Sequence, residues 1–140
     1  MTSPQQLSMK PALIRKLAPD FHAKIGTSTP DVITQIAISL SEGIHLIDVA
    51  DITYLKAEGN YCKISMPVKT HLVSKTLKQV KEKINSDQFL RIHQSYLVNS
   101  HCIAFYNKQD STLQLKNEEI LPVSRSGKKV LLQWFDHFIV

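Results

Sequence analysis

Short runs in which apolar and polar residues alternate dominate the chain. In the first of them Ile36, Ile38 and Leu40 are separated by smaller or polar residues, and this period of two predicts a β-strand. Residues 41–43, Ser-Glu-Gly, favour a turn and residues 44–47 favour a return strand, so the pair is predicted to form a hairpin.

Runs of the same kind follow at short intervals through most of the remaining sequence. The residues between them, such as Glu58-Gly59-Asn60, favour loops because Gly and Asn tolerate positive φ. The corresponding strands are predicted over residues 52–56, 61–65, 71–73, 103–106, 112–115 and 119–123.

The stretch 89–99 joins a polar half to an apolar half. Its second half is aromatic and β-branched, which favours a buried strand. In its first half, strand alternation would direct Arg91 and His93 to one face and Ile92 to the other. Gln94 follows, and arginine and glutamine carry the hydrogen-bonding forks that match guanine and adenine edges in a DNA major groove.

A helical period replaces the strand period once in the middle of the chain. Leu77, Val80 and Ile84 form an apolar stripe at helical spacing. Thr76 and Gln79 stand three residues apart at its start and fit a capping box. The lysines of this segment are best explained as a solvated helix face.

A second helical pattern lies near the end of the chain. It is predicted to open at Ser126-Gly127, and either Ser124 or Ser126 can cap it. Many short strands with two small helices predict a mostly β fold. The apolar stripe of the second helix, which is most simply core packing, comprises Val130, Leu131, Trp134, Phe135 and Phe138.

The length of 140 residues fits one domain with a tail. Prolines interrupt residues 1–31, which are therefore expected to be a tail or linker, or else an interaction arm, and residues 32–140 are expected to form the domain. No apolar run approaches the roughly 18 residues of a membrane helix, and the N-terminus does not resemble a signal peptide. Cys62 and Cys102 are far apart and fit small thiols of a cytoplasmic protein.

The basic charge of the chain is unevenly distributed. The formal net charge is +5, and residues 1–50 contain four basic and four acidic residues, so the whole excess lies in residues 51–140. A basic second half indicates a polyanionic partner, although such a charge can also serve solubility alone.

Enzymatic chemistry is not indicated by any motif. The six histidines are scattered and none has a His, Cys or carboxylate partner at metal-ligand spacing. The chain has no glycine-rich phosphate loop and no nucleophile elbow. No catalytic site, metal or cofactor is therefore expected.

Two groups of polar residues near predicted loops are candidates for binding. Asn60, Tyr61 and Lys63 form the first; the alternative is that Asn60 only makes the turn and Tyr61 packs in the sheet. Arg91, His93 and Gln94 form the second; the alternative is a surface arginine beside a structural histidine.

A third candidate group lies at the start of the last helix. Ser124 can cap this helix, whose free N–H groups would suit a phosphate. Arg125, Lys128 and Lys129 complete this group, and for the two lysines the alternative is a solvated helix face.

Four ordered blocks between about Thr34 and Trp134 resemble the LytTR-type DNA-binding domain, the output domain of many bacterial response regulators. The blocks are residues 51–61, 76–80, 89–99 and 121–125.

The resemblance implies an elongated stack of small antiparallel β-sheets with two short helices. It also implies sequence-specific binding of double-stranded DNA, with loops instead of a recognition helix entering successive major grooves. The residues that it places at DNA bases are Asn60, Gln94 and Arg125, and His93 beside Gln94 is a further candidate for reading a base. The residues assigned to phosphates are Lys63, Lys75, Arg91, Ser124, Lys128 and Lys129.

The chain departs from the commonest family architecture because it contains no receiver domain. It is either a stand-alone regulator or the output part of a longer protein, with an upstream receiver domain or a sensor as partner. Family sites are commonly paired repeats, so two copies are expected to bind together. Two alternatives remain: a protein-interaction module with a basic face, and a single-stranded RNA-binding sheet.

Overall fold

The computed structural model describes residues 34–140, and these residues fold into three antiparallel sheets and two α-helices. The predicted tail or linker over residues 1–31, together with Val32 and Ile33, lies outside the described residues. The predicted mostly β class with small antiparallel sheets and two short helices is confirmed.

The element bounds follow the predicted strands and helices closely. In chain order they are β1 (Gln35–Leu40), β2 (Gly43–Asp48), a 3-10 turn (Val49–Asp51), β3 (Tyr54–Glu58), β4 (Tyr61–Ser65), β5 (Thr70–Val73), α1 (Leu77–Ile84), β6 (Phe89–His93), β7 (Tyr96–Asn99), a second 3-10 turn (Ser100–Cys102), β8 (Ile103–Asn107), β9 (Thr112–Leu115), β10 (Ile120–Pro122) and α2 (Arg125–Phe135).

A five-stranded sheet with the order β5-β4-β3-β7-β6 is the largest of the three sheets. Strands β1 and β2 form a two-stranded sheet, and β10, β9 and β8 form a three-stranded one. Every neighbouring pair is antiparallel, which is the arrangement that short hairpin connections allow.

Helix α1 forms where the sequence predicts it, for the predicted reasons. The Thr76 side chain accepts from the Gln79 amide and the Gln79 side chain accepts from the Thr76 amide, so the capping box is complete. Asn85 ends the helix in the left-handed region with φ 47°. All three residues of the predicted apolar stripe, Leu77, Val80 and Ile84, are buried.

One face of the five-stranded sheet packs against α1 and the β1–β2 hairpin. Leu55, Ile64 and Leu97 on this face have no exposed surface. Cys62 is buried beside them, and loss of solvent raises the pKa of its thiol to about 11. Its thiol is therefore protonated at neutral pH and belongs to the core.

The other face of the same sheet packs against the three-stranded sheet and α2. Val98 and Ile92 from the five-stranded sheet meet Leu113 and Leu131 in this second core, and all four are fully buried. Because the β7 part of the sheet is covered on both sides, Leu97 and Val98 are buried although they face opposite ways. The predicted buried strand in the second half of residues 89–99 is confirmed.

The first half of residues 89–99 differs from the prediction in its register. Arg91 pairs with Leu97 and His93 pairs with Tyr96, so two steps along β6 match one step along β7. Such a bulge places an extra residue in one strand. Since Leu97 and Tyr96 face opposite sides, Arg91 and His93 do as well, and the prediction that they share one face is wrong. Fully buried Ile92 takes up the extra position.

Helix α2 begins slightly earlier than predicted. Ser124 is the cap, because its side chain accepts from the Gly127 amide at 3.0 Å, and the helix starts at Arg125 instead of at Ser126-Gly127. The helix ends at Phe135, so Phe138, the last residue of the predicted apolar stripe, lies beyond it and is 61% exposed.

Candidate nucleic-acid interface

Two two-residue turns lie at the same end of the five-stranded sheet. Gly59-Asn60 connects β3 to β4, and Gln94-Ser95 connects β6 to β7. Strands β3 and β7 are antiparallel neighbours, so the end of one lies beside the start of the other. The turns are two strand spacings apart, about 10 Å. A hydrogen bond of 2.8 Å from the Ala57 amide to the Ser95 carbonyl joins the two hairpins.

The turn at Gly59-Asn60 depends on its glycine. Gly59 has φ +63° and occupies the first of the two turn positions, as in a type II′ hairpin turn. Asn60 takes the second position and is exposed. Asn60 therefore both makes the turn and presents its amide to solvent, which leaves the predicted contact sterically open.

The start of α2 lies beside the Gln94-Ser95 turn. The Ser124 amide donates to the Ile92 carbonyl at 2.9 Å, two residues before Gln94. Arg125 follows as the first helical residue, and both Arg125 and Gln94 are exposed. A backbone hydrogen bond thus joins the two segments that carry these candidates, which are 31 positions apart in sequence.

Lys75 lies at the same end of the five-stranded sheet, on the side of the Gly59-Asn60 turn that is away from the Gln94-Ser95 turn. Val73, the last residue of β5, pairs with Cys62 close to the β3–β4 turn. Lys75 comes two residues later and is exposed. The Gly59-Asn60 turn, the Gln94-Ser95 turn, Lys75 and Arg125 together are called the candidate edge below.

Gly127 allows α2 to approach β6 this closely. A Cβ atom at this position would overlap the carbonyl group of Ile92 and lie 2.7 Å from the Ile92 Cα. In the sequence Gly127 resembles any glycine near a helix start, and only the contact between two distant segments reveals its role.

The lysine candidates differ in where the structure places them. Lys128 and Lys129 are exposed in the first turns of α2, next to Arg125. Lys63 is half-buried in the middle of β4, and its Nζ lies 5.9 Å from the centre of the Tyr54 ring. Lys63 therefore packs along the sheet, set back from the candidate edge.

Lys56 is a basic residue near the edge that sequence reasoning did not single out. It pairs with Lys63 across the sheet, and its Nζ lies 3.3 Å from a Glu58 carboxylate oxygen. The Glu58 carboxylate is the main cause of a raised pKa for this amine, and Tyr96 adds to it. Because Lys56 already has an acidic partner, it adds less positive potential than a free lysine would.

Arg91 and His93 bind the backbone of the Gln94-Ser95 turn. Arg91 Nε donates to the His93 carbonyl at 3.0 Å, and Arg91 Nη2 donates to the Gln94 carbonyl at 2.6 Å. The Ser95 amide donates to His93 Nδ1 at 3.0 Å. Both predicted DNA contacts thus have polar atoms engaged within the protein.

Two other kinds of functional feature, a metal site and a membrane-spanning helix, are not found among the described residues. Among residues 34–140 no cluster of three or more His, Cys, Asp or Glu side chains is placed to hold a metal ion. Within the same range no helix is long and apolar enough to cross a membrane.

The fold and the candidate edge define a small β domain with polar and basic side chains exposed at one end of its largest sheet. Residues 42–136 match the family described as LytTr DNA-binding domain. The chain belongs to this family, which confirms the resemblance seen in its sequence. The family comprises DNA-binding domains and not enzymes, and residues 42–136 are therefore a DNA-binding domain.

Similar proteins agree with this assignment. The CO-responsive transcriptional regulator RcoM of Rhodospirillum rubrum is 26% identical over 101 residues, which cover 69% of this chain and 43% of that protein. The sensory transduction protein LytT of Bacillus subtilis is 29% identical over 101 residues, covering 69% of this chain and 42% of that protein. The chain thus spans less than half the length of these curated relatives.

A solved structure supports the fold independently. It is a LytTr DNA-binding domain from Bacillus cereus that aligns with a TM-score of 0.62 at 24% sequence identity. The alignment covers 72% of this chain and 95% of that structure. The agreement concerns the arrangement of the backbone.

Proposed function

We propose that this domain recognises a specific sequence of double-stranded DNA, as the output of a bacterial transcription regulator, and that the candidate edge faces the DNA. The observation that carries the proposal is the convergence of four separate segments at one end of one sheet. Asn60, Lys75 and Gln94 come from three different connections and Arg125 from the start of α2, and all four are exposed.

The exposed turn side chains are suited to read bases. The Arg125 guanidinium can donate two hydrogen bonds to guanine, and the Gln94 amide can bond adenine with both of its groups. Asn60 can act in the same way from the neighbouring turn. His93 has only Nε2 free for such a contact, because Nδ1 accepts from the Ser95 amide.

The basic residues are suited to bind phosphates. Lys75, Lys128 and Lys129 are exposed along or beside the candidate edge. The first amides of α2 lack acceptors inside the helix and, with the Ser124 cap, offer a site for a phosphate oxygen. Lys63 is the weakest member of this set because its amine packs over Tyr54.

A double substitution tests the phosphate contacts. Lys128→Ala with Lys129→Ala is expected to weaken binding to specific and random duplexes alike, and to lower the slope of log affinity against log salt by about 2. Fluorescence anisotropy titrations from low to high salt measure both quantities. Lys83→Ala is the control. Lys83 is exposed like the two substituted lysines but lies at the end of α1 that is away from the candidate edge. An unchanged slope in the double variant would exclude these phosphate contacts.

Base reading is tested by selecting bound duplexes from a randomised DNA pool. The wild type is expected to recover a motif. Arg125→Ala is expected to lose the base preference at one position of this motif, which corresponds to a loss of about 1–3 kcal/mol in discrimination between bases. Lys129→Ala is the control, since it should weaken binding but leave the motif unchanged. Equal weakening of specific and random DNA by Arg125→Ala would contradict base reading.

A footprint on the selected motif, together with the form of that motif, bears on how the DNA is bound. If the loops enter successive major grooves, hydroxyl-radical footprints on the motif should show protection repeated about one helical turn apart. Recovery of no motif would point to a protein partner for the basic face. A motif made of two repeats would support the proposed binding of two copies.

The regulatory setting is proposed from the relatives. Since those proteins are more than twice as long as the matched region, we infer that a receiver domain or a sensor supplies the signal. A bacterial regulator that binds chromosomal DNA acts in the cytoplasm, and we propose this location.

A further inference from the structure

The bulge in β6 gives Arg91 a position from which it can reach around the neighbouring turn. Arg91 lies opposite Leu97, on the face of the hairpin away from His93. It is half-buried, whereas a flexible phosphate-binding side chain would extend freely into solvent.

The contacts of Arg91 are made to two consecutive carbonyl groups. Nε donates to the His93 carbonyl at 3.0 Å and Nη2 donates to the Gln94 carbonyl at 2.6 Å. The planar guanidinium presents these two donors in fixed relative positions, so it fixes the two carbonyls relative to each other. A lysine has the same charge but no rigid fork and cannot do this.

The remaining backbone groups of the turn are held in a similar way. His93 Nδ1 accepts from the Ser95 amide, and the ring of His93 packs edge-on against Tyr96 with centroids 5.7 Å apart. The Ser95 carbonyl accepts from the Ala57 amide at 2.8 Å. The backbone around Gln94 is therefore fixed on several sides, while the Gln94 side chain stays exposed.

We propose that Arg91 is a positioning residue that sets the base preference of Gln94, and that it does not bind a phosphate. The inference rests on the proposed function, in which Gln94 reads a base. A bidentate amide contact discriminates between bases only when its direction is fixed, because a mobile side chain can adapt to several bases.

The experiment compares affinities for the selected duplex and for duplexes that carry each other base at the position sensitive to Gln94→Ala. The proteins are wild type, Gln94→Ala, Arg91→Ala, Arg91→Lys and the double variant Arg91→Ala with Gln94→Ala. The ratio of two affinities does not depend on the fraction of folded protein, so a loss of stability does not obscure the result. The slope against salt is measured for each protein.

If Arg91 positions Gln94, the base preferences and salt slopes of the five proteins should differ in a particular way. Gln94→Ala should reduce the preference for its base roughly tenfold or more. Arg91→Lys should lose most of the same preference despite its retained charge, and Arg91→Ala should leave the salt slope near the wild-type value. The double variant should be no less selective than Gln94→Ala alone, because both changes remove one function.

Two results would overturn the inference, and they are distinguishable. If Gln94→Ala loses its base preference but Arg91→Lys keeps it while Arg91→Ala lowers the salt slope by about 1, Arg91 binds a phosphate. If Gln94→Ala changes no base preference at all, the proposed reading role of Gln94 fails, and the positioning role of Arg91 fails with it.

Discussion

Gly127→Ala is expected to destabilise the domain by about 3 kcal/mol. Alanine inside a helix normally stabilises it relative to glycine by about 1 kcal/mol, so the expected sign is the reverse of the intrinsic helix preference. The reason is that the added Cβ would overlap the Ile92 carbonyl group, which belongs to a buried part of β6 and cannot move aside. Urea unfolding followed by circular dichroism measures the change.

Specific DNA binding should decrease in the same variant. The overlap can be relieved only if α2 moves away from β6, and Arg125 moves with it because it lies two residues before Gly127. Gln133→Ala, at an exposed position of the same helix, is the control and should change stability by less than about 0.5 kcal/mol. An unchanged or increased stability of Gly127→Ala would show that the close approach of α2 and β6 is not maintained in solution.

Asn99→Ala is expected to reduce stability by about 3 kcal/mol. Asn99 is 1% exposed, and its side chain donates to the Ile52 carbonyl at 2.9 Å and accepts from the His101 amide at 3.0 Å. Alanine would leave the Ile52 carbonyl without this partner in a fully buried region, and a buried polar group without a partner costs about 1–3 kcal/mol. Urea unfolding measures the loss here as well.

Asn107 provides a matched control for this prediction. Its side chain accepts from the amides of Gln109 and Asp110, both at 3.0 Å, but the turn that it closes is exposed. Water can replace these bonds, so Asn107→Ala should cost less than about 1 kcal/mol. Similar losses at Asn99 and Asn107 would show that burial does not determine the cost.

Local patterns were sufficient to predict most elements of this fold. The strand β4 begins and ends where its alternating residues predict, and α1 follows its capping box and apolar stripe. Both signals lie within one element and depend on the backbone geometry of that element alone. The family blocks in turn selected Gln94 and Arg125, which the structure brings together, although DNA contact at either residue stays a prediction.

The sequence-based predictions that were wrong or incomplete concern residues at which one secondary-structure element contacts another. The bulge in β6 comes from pairing with β7, and alternation within a single strand cannot predict it. As a result the shared face of Arg91 and His93 was predicted wrongly, and the bonds of Arg91 to the turn were not anticipated. The positions of Lys63 over Tyr54 and of Lys56 beside Glu58 likewise depend on neighbouring strands.

The mostly β class, the family, the basic second half and the residue types suited to DNA could all be predicted from the amino-acid sequence alone. These follow from periodicity, composition and motif, which are properties of short segments. The packing of the folded chain was needed to establish which of those residues share an edge, which bind backbone groups, and why position 127 requires a glycine. These properties depend on the packing of segments that are distant in sequence, such as β6 and α2, and a contact of that kind leaves no pattern in either segment alone.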